Sequence, residues 1–113
     1  MKQFVISMFT LAFLVSLGAC SNDEAEPQFR ITNERTEKAN VQIQTSGGNT
    51  ININDVLPGQ TTGYQSAAEG AIVATAVIQN ESVSPTASFY VWNDTRSTVF
   101  IQAGGTPTLR IDQ

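Results

Sequence analysis

The 113-residue chain contains no histidine and only one cysteine, and 14% of its residues are charged. One cysteine cannot form an internal disulfide, and without histidine the chain has neither a Cys/His zinc site nor a mechanism based on imidazole. Ten acidic side chains against six basic ones give a formal net charge of -4. This charge repels nucleic-acid phosphates, and six scattered basic residues cannot form the basic surface that a nucleic-acid backbone requires. The composition is that of one modest domain without a nucleic-acid partner.

The chain begins with a basic residue and a short apolar segment. Lys2 precedes an apolar run of fourteen residues at positions 4–17. A membrane-spanning helix needs about 20 residues, so the run is too short to cross a bilayer and fits a secretory signal peptide. The alternatives are an ordinary signal peptide followed by an incidental cysteine, or a short membrane anchor.

The end of this run, Leu17-Gly18-Ala19-Cys20, resembles the lipobox of bacterial lipoprotein precursors. The resemblance implies cleavage between Ala19 and Cys20, a diacylglyceryl thioether on the Cys20 sulfur and an acyl chain on its new amino group. Each buried methylene of such chains contributes about 0.8 kcal/mol, so several chains together anchor a protein to the membrane. We therefore expect residues 1–19 to be a lipoprotein signal peptide and Cys20 to be the site of lipid attachment.

Residues 20–28 connect this predicted anchor to the rest of the chain. Positions 21–28 contain three carboxylates and a proline but no large apolar side chain, so we expect an acidic, flexible tether. Serine after the cysteine resembles the sorting signal for the outer membrane, and the acidic residues resemble the surface-export signal of Bacteroidota lipoproteins. The sequence thus predicts an outer-membrane lipoprotein whose domain either is exposed at the cell surface or faces the periplasm.

From residue 29 onward apolar and polar residues alternate, which is the pattern of half-buried strands. Turn-forming segments separate the runs at intervals of roughly ten residues, and no segment has a helical apolar period. We predict eight strands, at residues 29–33, 40–45, 50–54, 61–66, 71–79, 86–92, 97–103 and 108–112. Residues 29–113 are therefore predicted to form an all-β domain, an antiparallel β-sandwich of seven or eight short strands.

Strand alternation also predicts which side chains face the interior. Residues 71–79 are apolar on both faces, which favours a position in the middle of a sheet. The predicted core consists of Phe29, Ile31, Val41, Ile43, Ile51, Ile53, Tyr64, Ile72, Val77, Phe89, Val91, Val99, Ile101 and Leu109.

The order of short motifs in this domain resembles a family of bacterial secreted and lipoprotein domains of unknown function with an immunoglobulin-like or transthyretin-like sandwich. The Asp-Ala-Pro that usually precedes the first hairpin of the family is absent, and Glu37-Lys38-Ala39-Asn40 stands in its place. The resemblance implies a fold but does not indicate any activity. The matching motifs are Arg30-Ile31-Thr32-Asn33, Val41-Gln42-Ile43, Gly59-Gln60-Thr61-Thr62-Gly63-Tyr64, Gly70-Ala71-Ile72-Val73 and Thr98-Val99-Phe100-Ile101.

The sequence contains no catalytic motif. Without histidine only a carboxylate or a lysine could activate a Ser or Thr nucleophile, and Gly-x-Ser-x-Gly is absent. The oxygen-rich stretch at residues 49–55 lacks the spacing of an EF-hand loop. Four carboxylates fall in or near predicted loops without a sign that any two converge: Asp55, Glu69, Glu81 and Asp94. We therefore predict no enzymatic activity, no catalytic residue, no cofactor and no metal site.

One aromatic motif could form a binding site. In Phe89-Tyr90-Val91-Trp92 side chains alternate, so Tyr90 and Trp92 share the face opposite Phe89 and Val91. If Phe89 and Val91 face inward, Tyr90 and Trp92 form a platform that can stack on sugar rings or contact the apolar surface of a partner. Alternatively, Trp92 packs under a neighbouring strand or loop and shields one face of the sandwich.

Two function hypotheses follow. The first is a non-enzymatic, lipid-anchored lipoprotein of the cell envelope that acts as a structural or interaction module, attached to the membrane through acyl chains on Cys20. The second is a surface carbohydrate-binding or adhesion module that uses Tyr90 and Trp92. Under either hypothesis the partner could be a protein or a polysaccharide.

Overall fold

The computed structural model describes residues 25–113, in which eight strands form two four-stranded sheets. The sheets pack face to face as a β-sandwich, which confirms the predicted fold class. No helix in this part of the chain is long and apolar enough to cross a membrane. The predicted signal peptide and the lipid attachment at Cys20 lie outside the described residues. The strands are β1 (Gln28–Asn33), β2 (Ala39–Gln44), β3 (Thr50–Val56), β4 (Gln65–Ser66), β5 (Gly70–Ile78), β6 (Thr86–Val91), β7 (Arg96–Ile101) and β8 (Thr108–Ile111).

The first sheet has the strand order β4-β1-β7-β8, and the second has the order β3-β2-β5-β6. Neighbouring strands are antiparallel except for β1 and β7, which run parallel with Arg30 opposite Thr98. Strands β1 and β2 belong to opposite sheets, whereas the first two strands of an immunoglobulin constant domain share one sheet. The strand order therefore differs from that of the immunoglobulin constant domain.

The core lies between the sheets and is formed by the inward side of each strand's alternation. In β2, for example, Ala39, Val41 and Ile43 are buried while the intervening residues are exposed. Burying an aliphatic or aromatic side chain of core size contributes about 1.5–3 kcal/mol, so this interface between the sheets is the main stabilising feature. The largest fully buried apolar side chains are Phe29, Ile31, Ile43, Ile72, Ile78, Ile101, Val41, Val56, Val91 and Val99.

Two residues predicted for the core lie elsewhere. Strand β5 is central in its sheet, but only one of its faces is buried, and Val77 on the other face is 47% exposed. A sheet in a two-layer sandwich is covered on one side only, so a central position does not require both faces to be buried. Tyr64 is half-buried on the outer surface of the first sheet, where its hydroxyl donates to Asp112 Oδ2 at 2.9 Å. Ile51, Phe89 and Leu109 are partly buried and pack against the core.

Seven of the eight predicted strands agree with the observed bounds to within two residues, and the fourth is shorter than predicted. Residues 61–64 lie alongside β1 but do not form a regular ladder of backbone hydrogen bonds with it. Thr32 and Thr61 form an isolated bridge, and the Ile31 N–H donates to the hydroxyl of Thr62 at 3.0 Å. A side-chain oxygen here replaces a backbone carbonyl, so regular pairing begins only at β4.

Residues 25–28, assigned to the tether from composition, are hydrogen-bonded to the sandwich. The Ala25 N–H donates to Asp94 Oδ1 at 2.9 Å, and the Asp94 N–H donates to the Ala25 carbonyl at 2.8 Å. The Gln28 N–H donates to the Thr95 carbonyl at 3.0 Å. Within the described residues, the chain therefore contacts the sandwich from residue 25 onward, beside the turn that connects β6 and β7.

Candidate functional site

The outer face of the second sheet consists of side chains without formal charge, apart from Asp55 at the irregular end of β3. Alternate residues of β2, β3, β5 and β6 point away from the core, and Trp92, which directly follows β6, continues the series. We term this surface the neutral face. Its residues are Asn40, Gln42, Gln44, Thr50, Asn52, Asn54, Ala71, Val73, Thr75, Val77, Thr86, Ser88, Tyr90 and Trp92.

The strand register arranges these residues in rows that cross the sheet. Gln42 lies opposite Asn52 on β3 and Thr75 on β5, and Thr75 lies opposite Thr86 on β6. Neighbouring strands are about 4.8 Å apart, so a row of four residues is about 14 Å wide. The adjacent row contains Thr50, Gln44, Val73 and Ser88. Amides and hydroxyls thereby occupy both rows except at Val73, and the hydroxyls of Thr75 and Thr86 bond to each other.

Tyr90 and Trp92 lie together at one corner of the neutral face. Each residue is 49% exposed, and their ring centroids are 4.8 Å apart with the ring planes tilted by 47°. Val91 between them is 2% exposed, so the core contact of Val91 directs both aromatic side chains outward. Of the two arrangements expected from the sequence, the structure has the exposed one, and Trp92 does not pack into the core.

A hydrogen-bonded turn holds the backbone of Trp92. The Thr95 hydroxyl donates to the Trp92 carbonyl at 2.6 Å, and the Asn93 N–H donates to Glu69 Oε2 at 3.0 Å. Asp94 in the same turn has a φ of 62°, in the left-handed region that aspartate tolerates better than most residues. These bonds restrain the main chain that carries the Trp92 ring.

The amides of the neutral face are available to a ligand. Within residues 25–113 the side chains of Gln42, Gln44 and Asn52 form no hydrogen bond to another side chain or to the backbone. Each amide offers two N–H donors and one carbonyl acceptor. These groups are exposed, so a ligand can bind them by replacing water.

Charged groups border the neutral face and are already paired. The Lys38 Nζ lies 3.2 Å from Asp55 Oδ1 beyond the ends of the β2 and β3 rows. Glu69 near the aromatic corner accepts the hydrogen bond from Asn93. An ionic ligand on this face would therefore have to displace existing partners.

The outer face of the first sheet carries most of the positive charge. Of the five basic side chains in residues 25–113, three lie there: Arg30, Arg96 and Arg110. The guanidinium groups of Arg30 and Arg96 lie over the Tyr64 ring, 4.8 and 5.1 Å from its centroid. The Nε of Arg30 also donates to the hydroxyl of Thr98 at 2.9 Å. The outer face of the first sheet therefore carries charged side chains, in contrast to the neutral face.

Asp112 is the centre of that ionic network. It accepts hydrogen bonds from the Thr98 hydroxyl at 2.6 Å, from the Tyr64 hydroxyl at 2.9 Å and from Arg110 Nε at 2.9 Å. Burial acts to raise the pKa of Asp112, but the bonds from Thr98, Arg110 and Tyr64 outweigh burial and lower it. Desolvation and the Asp112 carboxylate raise the pKa of Tyr64. We attribute a structural role to the network, because it connects the end of β8 to β7 and to the segment before β4.

The loop carboxylates do not form a catalytic pair in a cleft. Asp55 pairs with Lys38, Glu81 lies 3.0 Å from Arg35, and Asp94 binds the Ala25 N–H. No group of three or more His, Cys, Asp or Glu residues that could hold a metal occurs in residues 25–113. A shallow, open cavity of about 360 Å³ lies beside the β6–β7 turn and is lined by Ala25, Glu26, Gln28, Asp94, Thr95, Arg96 and Gln113.

Tyr90 and Trp92 can be identified from the sequence, but the neutral face around them cannot. Alternation places the amides of the strands at 40–45 and 50–54 opposite their apolar residues, yet nothing in the alternation shows that β5 and β6 continue the same surface. One signal was present: no outward position of the strands at 40–45 and 50–54 carries a charged residue.

Comparisons with known proteins inform on the fold. No protein-family model matches the sequence, and no curated protein matches it. Among solved structures, the N-terminal domain of AlgF from P. aeruginosa is similar, with a TM-score of 0.55 and 19% sequence identity. The match covers 82% of this chain and 100% of the AlgF chain. At this identity the similarity shows a shared β-rich fold and nothing further.

Proposed function

We propose that the protein is a non-enzymatic, lipid-anchored module of the bacterial cell envelope that binds a glycan through the neutral face. The anchor at Cys20 and the outer-membrane location are proposed from the lipobox-like motif and the residues after it. The observation that carries the binding proposal is the exposed Tyr90–Trp92 pair on the same face as the free amides of the β2 and β3 rows.

The chemistry of this surface suits a sugar. A pyranose ring presents a flat C–H surface to an aromatic ring, and leaving two large rings exposed to water costs about 25 cal/mol for each Å² of apolar area. Sugar hydroxyls are both donors and acceptors, and so are amide side chains. Stacking at the Tyr90–Trp92 corner together with hydrogen bonds to Gln44 would give affinity and orientation.

A second candidate is the structural or interaction module with a protein partner. It is favoured by the outer side of β5, where Val77 is 47% exposed and Val73 half-buried. Protein interfaces are enriched in aromatic residues, which Tyr90 and Trp92 would supply, but also in Met and Arg. The neutral face contains neither Met nor Arg, and its prevailing amides and hydroxyls favour the glycan.

The test uses the full-length lipidated protein in non-ionic detergent and measures its cosedimentation with insoluble polysaccharides, including cellulose, chitin and starch. We expect at least one of them to retain the wild type and Trp92→Ala to weaken retention about tenfold, or about 1.4 kcal/mol, which is more than most interface residues contribute. Val83→Ala is the matched control, because Val83 is 73% exposed and lies in the β5–β6 loop outside the neutral face. Retention of a folded Trp92→Ala variant at wild-type level would contradict the proposal.

A further inference from the structure

We infer that the ligand of the neutral face is an uncharged polysaccharide, bound as a chain that extends from the Tyr90–Trp92 corner to the amide row at Gln42. This inference rests on the proposed function and specifies its ligand class. It depends on the charge, the geometry and the free hydrogen-bonding groups of the face.

The absence of charge argues against acidic glycans. Carboxylate and sulfate groups are bound most effectively by Arg and Lys, which form charge-assisted hydrogen bonds with them. None of the fourteen residues of the neutral face is Arg or Lys, and the nearby Lys38 is paired with Asp55 at 3.2 Å. The whole chain carries a net charge of -4, which repels a polyanion at long range.

The distribution of the arginines supports the same conclusion. The three arginines Arg30, Arg96 and Arg110 lie on the opposite sheet, on the other side of the core. A face evolved for an acidic chain would need such residues beside its aromatic platform. Here the aromatic pair and the cationic side chains are on opposite surfaces of the sandwich.

The geometry requires a ligand of several sugar units. Tyr90 and Thr86 are four residues apart on β6, which corresponds to about 13 Å along the strand. Gln42 lies in the Thr86 row but two strands away, so it is about 17 Å from Tyr90. A single sugar stacked on the aromatic pair cannot reach Gln42, whereas an extended chain can. Affinity should therefore rise with chain length.

The single tryptophan makes binding directly observable. Trp92 is the only tryptophan in the chain and is 49% exposed, so its fluorescence reports on occupation of the aromatic corner. The full-length lipidated protein in detergent would be titrated with neutral polysaccharides (mannan, dextran, xyloglucan) and with acidic ones (polygalacturonate, hyaluronate). We expect a neutral glycan to shift the Trp92 fluorescence to shorter wavelength. The affinity for this glycan should change less than about twofold between low and high salt, because no ion pair forms.

Chain length and amide variants supply the second part of the test. Oligosaccharides of one to six units are prepared from the neutral polysaccharide that binds. We expect the double variant Gln42→Ala and Gln44→Ala to weaken the six-unit ligand about five- to tenfold, as loss of exposed hydrogen bonds would, and to leave the shortest ligands unaffected. Gln65→Ala is the matched control, since Gln65 is an exposed strand glutamine on the other sheet. If Trp92→Ala is unfolded, Tyr90→Ala takes its place, and its binding is measured by affinity electrophoresis.

Each contrary outcome is distinguishable. Salt-sensitive, Trp92-dependent binding of an acidic glycan would overturn the uncharged class while leaving the proposed function intact. Equal effects of the amide variant on short and long ligands would overturn the extended mode. A blue shift produced by glycan-free phospholipid vesicles alone would identify lipid as the occupant. In that case, or if no glycan in either group binds, both the inference and the proposed function fail.

Discussion

Asn33 at the end of β1 is a polar side chain with no exposed surface. Its amide nitrogen donates to the carbonyls of Glu37 and Val56, each at 2.9 Å, and its Oδ1 accepts from the Arg35 N–H at 2.8 Å. Val56 belongs to the second sheet, so the Asn33 amide links the two layers. Buried polar groups of this kind stabilise a fold only while every partner is satisfied.

We expect Asn33→Ala to lower the free energy of unfolding by about 2–4 kcal/mol, because it removes one buried and two part-buried hydrogen bonds to the backbone. Urea unfolding followed by circular dichroism measures the change. Thr32→Ala is the neighbouring control, since its hydroxyl bonds only to the exposed hydroxyl of Thr61. A loss for Asn33→Ala no larger than the loss for Thr32→Ala would refute the linking role.

The lowered pKa of Asp112 predicts how stability depends on pH. A carboxyl whose pKa is lower in the folded than in the unfolded state stabilises the fold fully above its ordinary pKa of 3.8. That stabilisation is lost as pH falls through the folded pKa. Asp112→Asn should therefore lower the free energy of unfolding at pH 7 by about 1–3 kcal/mol, which is the range for hydrogen bonds to charged groups. The variant should also lose less stability than the wild type between pH 4 and pH 2.

The measurement for Asp112 is thermal unfolding at a series of pH values for the wild type and the variant. Glu34→Gln is a suitable control, because Glu34 is exposed and its side chain makes no hydrogen bond within residues 25–113. Wild-type and Asp112→Asn curves that stay parallel from pH 7 to pH 2 would show that the network does not stabilise the ionised form.

At the scale of single strands, period-two alternation was sufficient to find the elements. It located β2 and β6 closely because Val41, Ile43 and Val91 are buried between exposed residues. It failed at residues 61–64, where a threonine hydroxyl takes the place of a backbone acceptor. Alternation describes each strand alone, so local hydrogen bonding of this kind is not visible in it.

Strand β5 shows the complementary failure. Its residues are apolar on both faces, and only the register with β2 and β6 reveals that Val77 is solvent-facing while Ile78 is 2% exposed. The same long-range pairing creates the neutral face by joining Gln42 to Thr75. Pairing between distant strands depends on the whole fold, which explains why Tyr90 and Trp92 could be chosen from sequence and the amide rows could not.

A matched pair of substitutions tests the orientation of β5. We expect Val77→Thr to change the free energy of unfolding by less than about 0.5 kcal/mol, as is usual for exposed positions. Val41→Thr introduces the same hydroxyl at a residue with no exposed surface and should cost about 1–3 kcal/mol. Chemical denaturation of both variants gives the comparison. Equal losses would mean that the outer side of β5 is covered in solution.

At the scale of the whole molecule, the sandwich separates two kinds of surface. Arginines and Asp112 satisfy one another on the first sheet, and uncharged groups cover the second. The first described residue, Ala25, is hydrogen-bonded to Asp94, two positions after Trp92. Four residues separate Cys20 from Ala25, and the five Cα–Cα steps between them extend at most about 18 Å. If Cys20 is acylated, the aromatic corner is therefore held near the membrane surface.

The anchor itself makes the last prediction. Cys20 is the only cysteine, so no other thiol can accept the diacylglyceryl group. In cells labelled with radioactive palmitate, we expect the wild type to be labelled and to remain in the membrane fraction after a high-salt wash. Cys20→Ala should be unlabelled. Ser21→Ala is the control, because it alters the adjacent residue and leaves the thiol in place.

The location of Cys20→Ala then separates the two ways in which the amino end could attach the protein. Without acyl chains and without processing, only residues 4–17 could hold the protein, and fourteen apolar residues are too few to span a bilayer of about 30 Å. We therefore expect much of the variant in the soluble fraction. An unlabelled variant fully retained in the membrane would show that the apolar segment is itself the anchor. Protease treatment of intact and lysed wild-type cells then determines whether the neutral face is accessible from outside the cell.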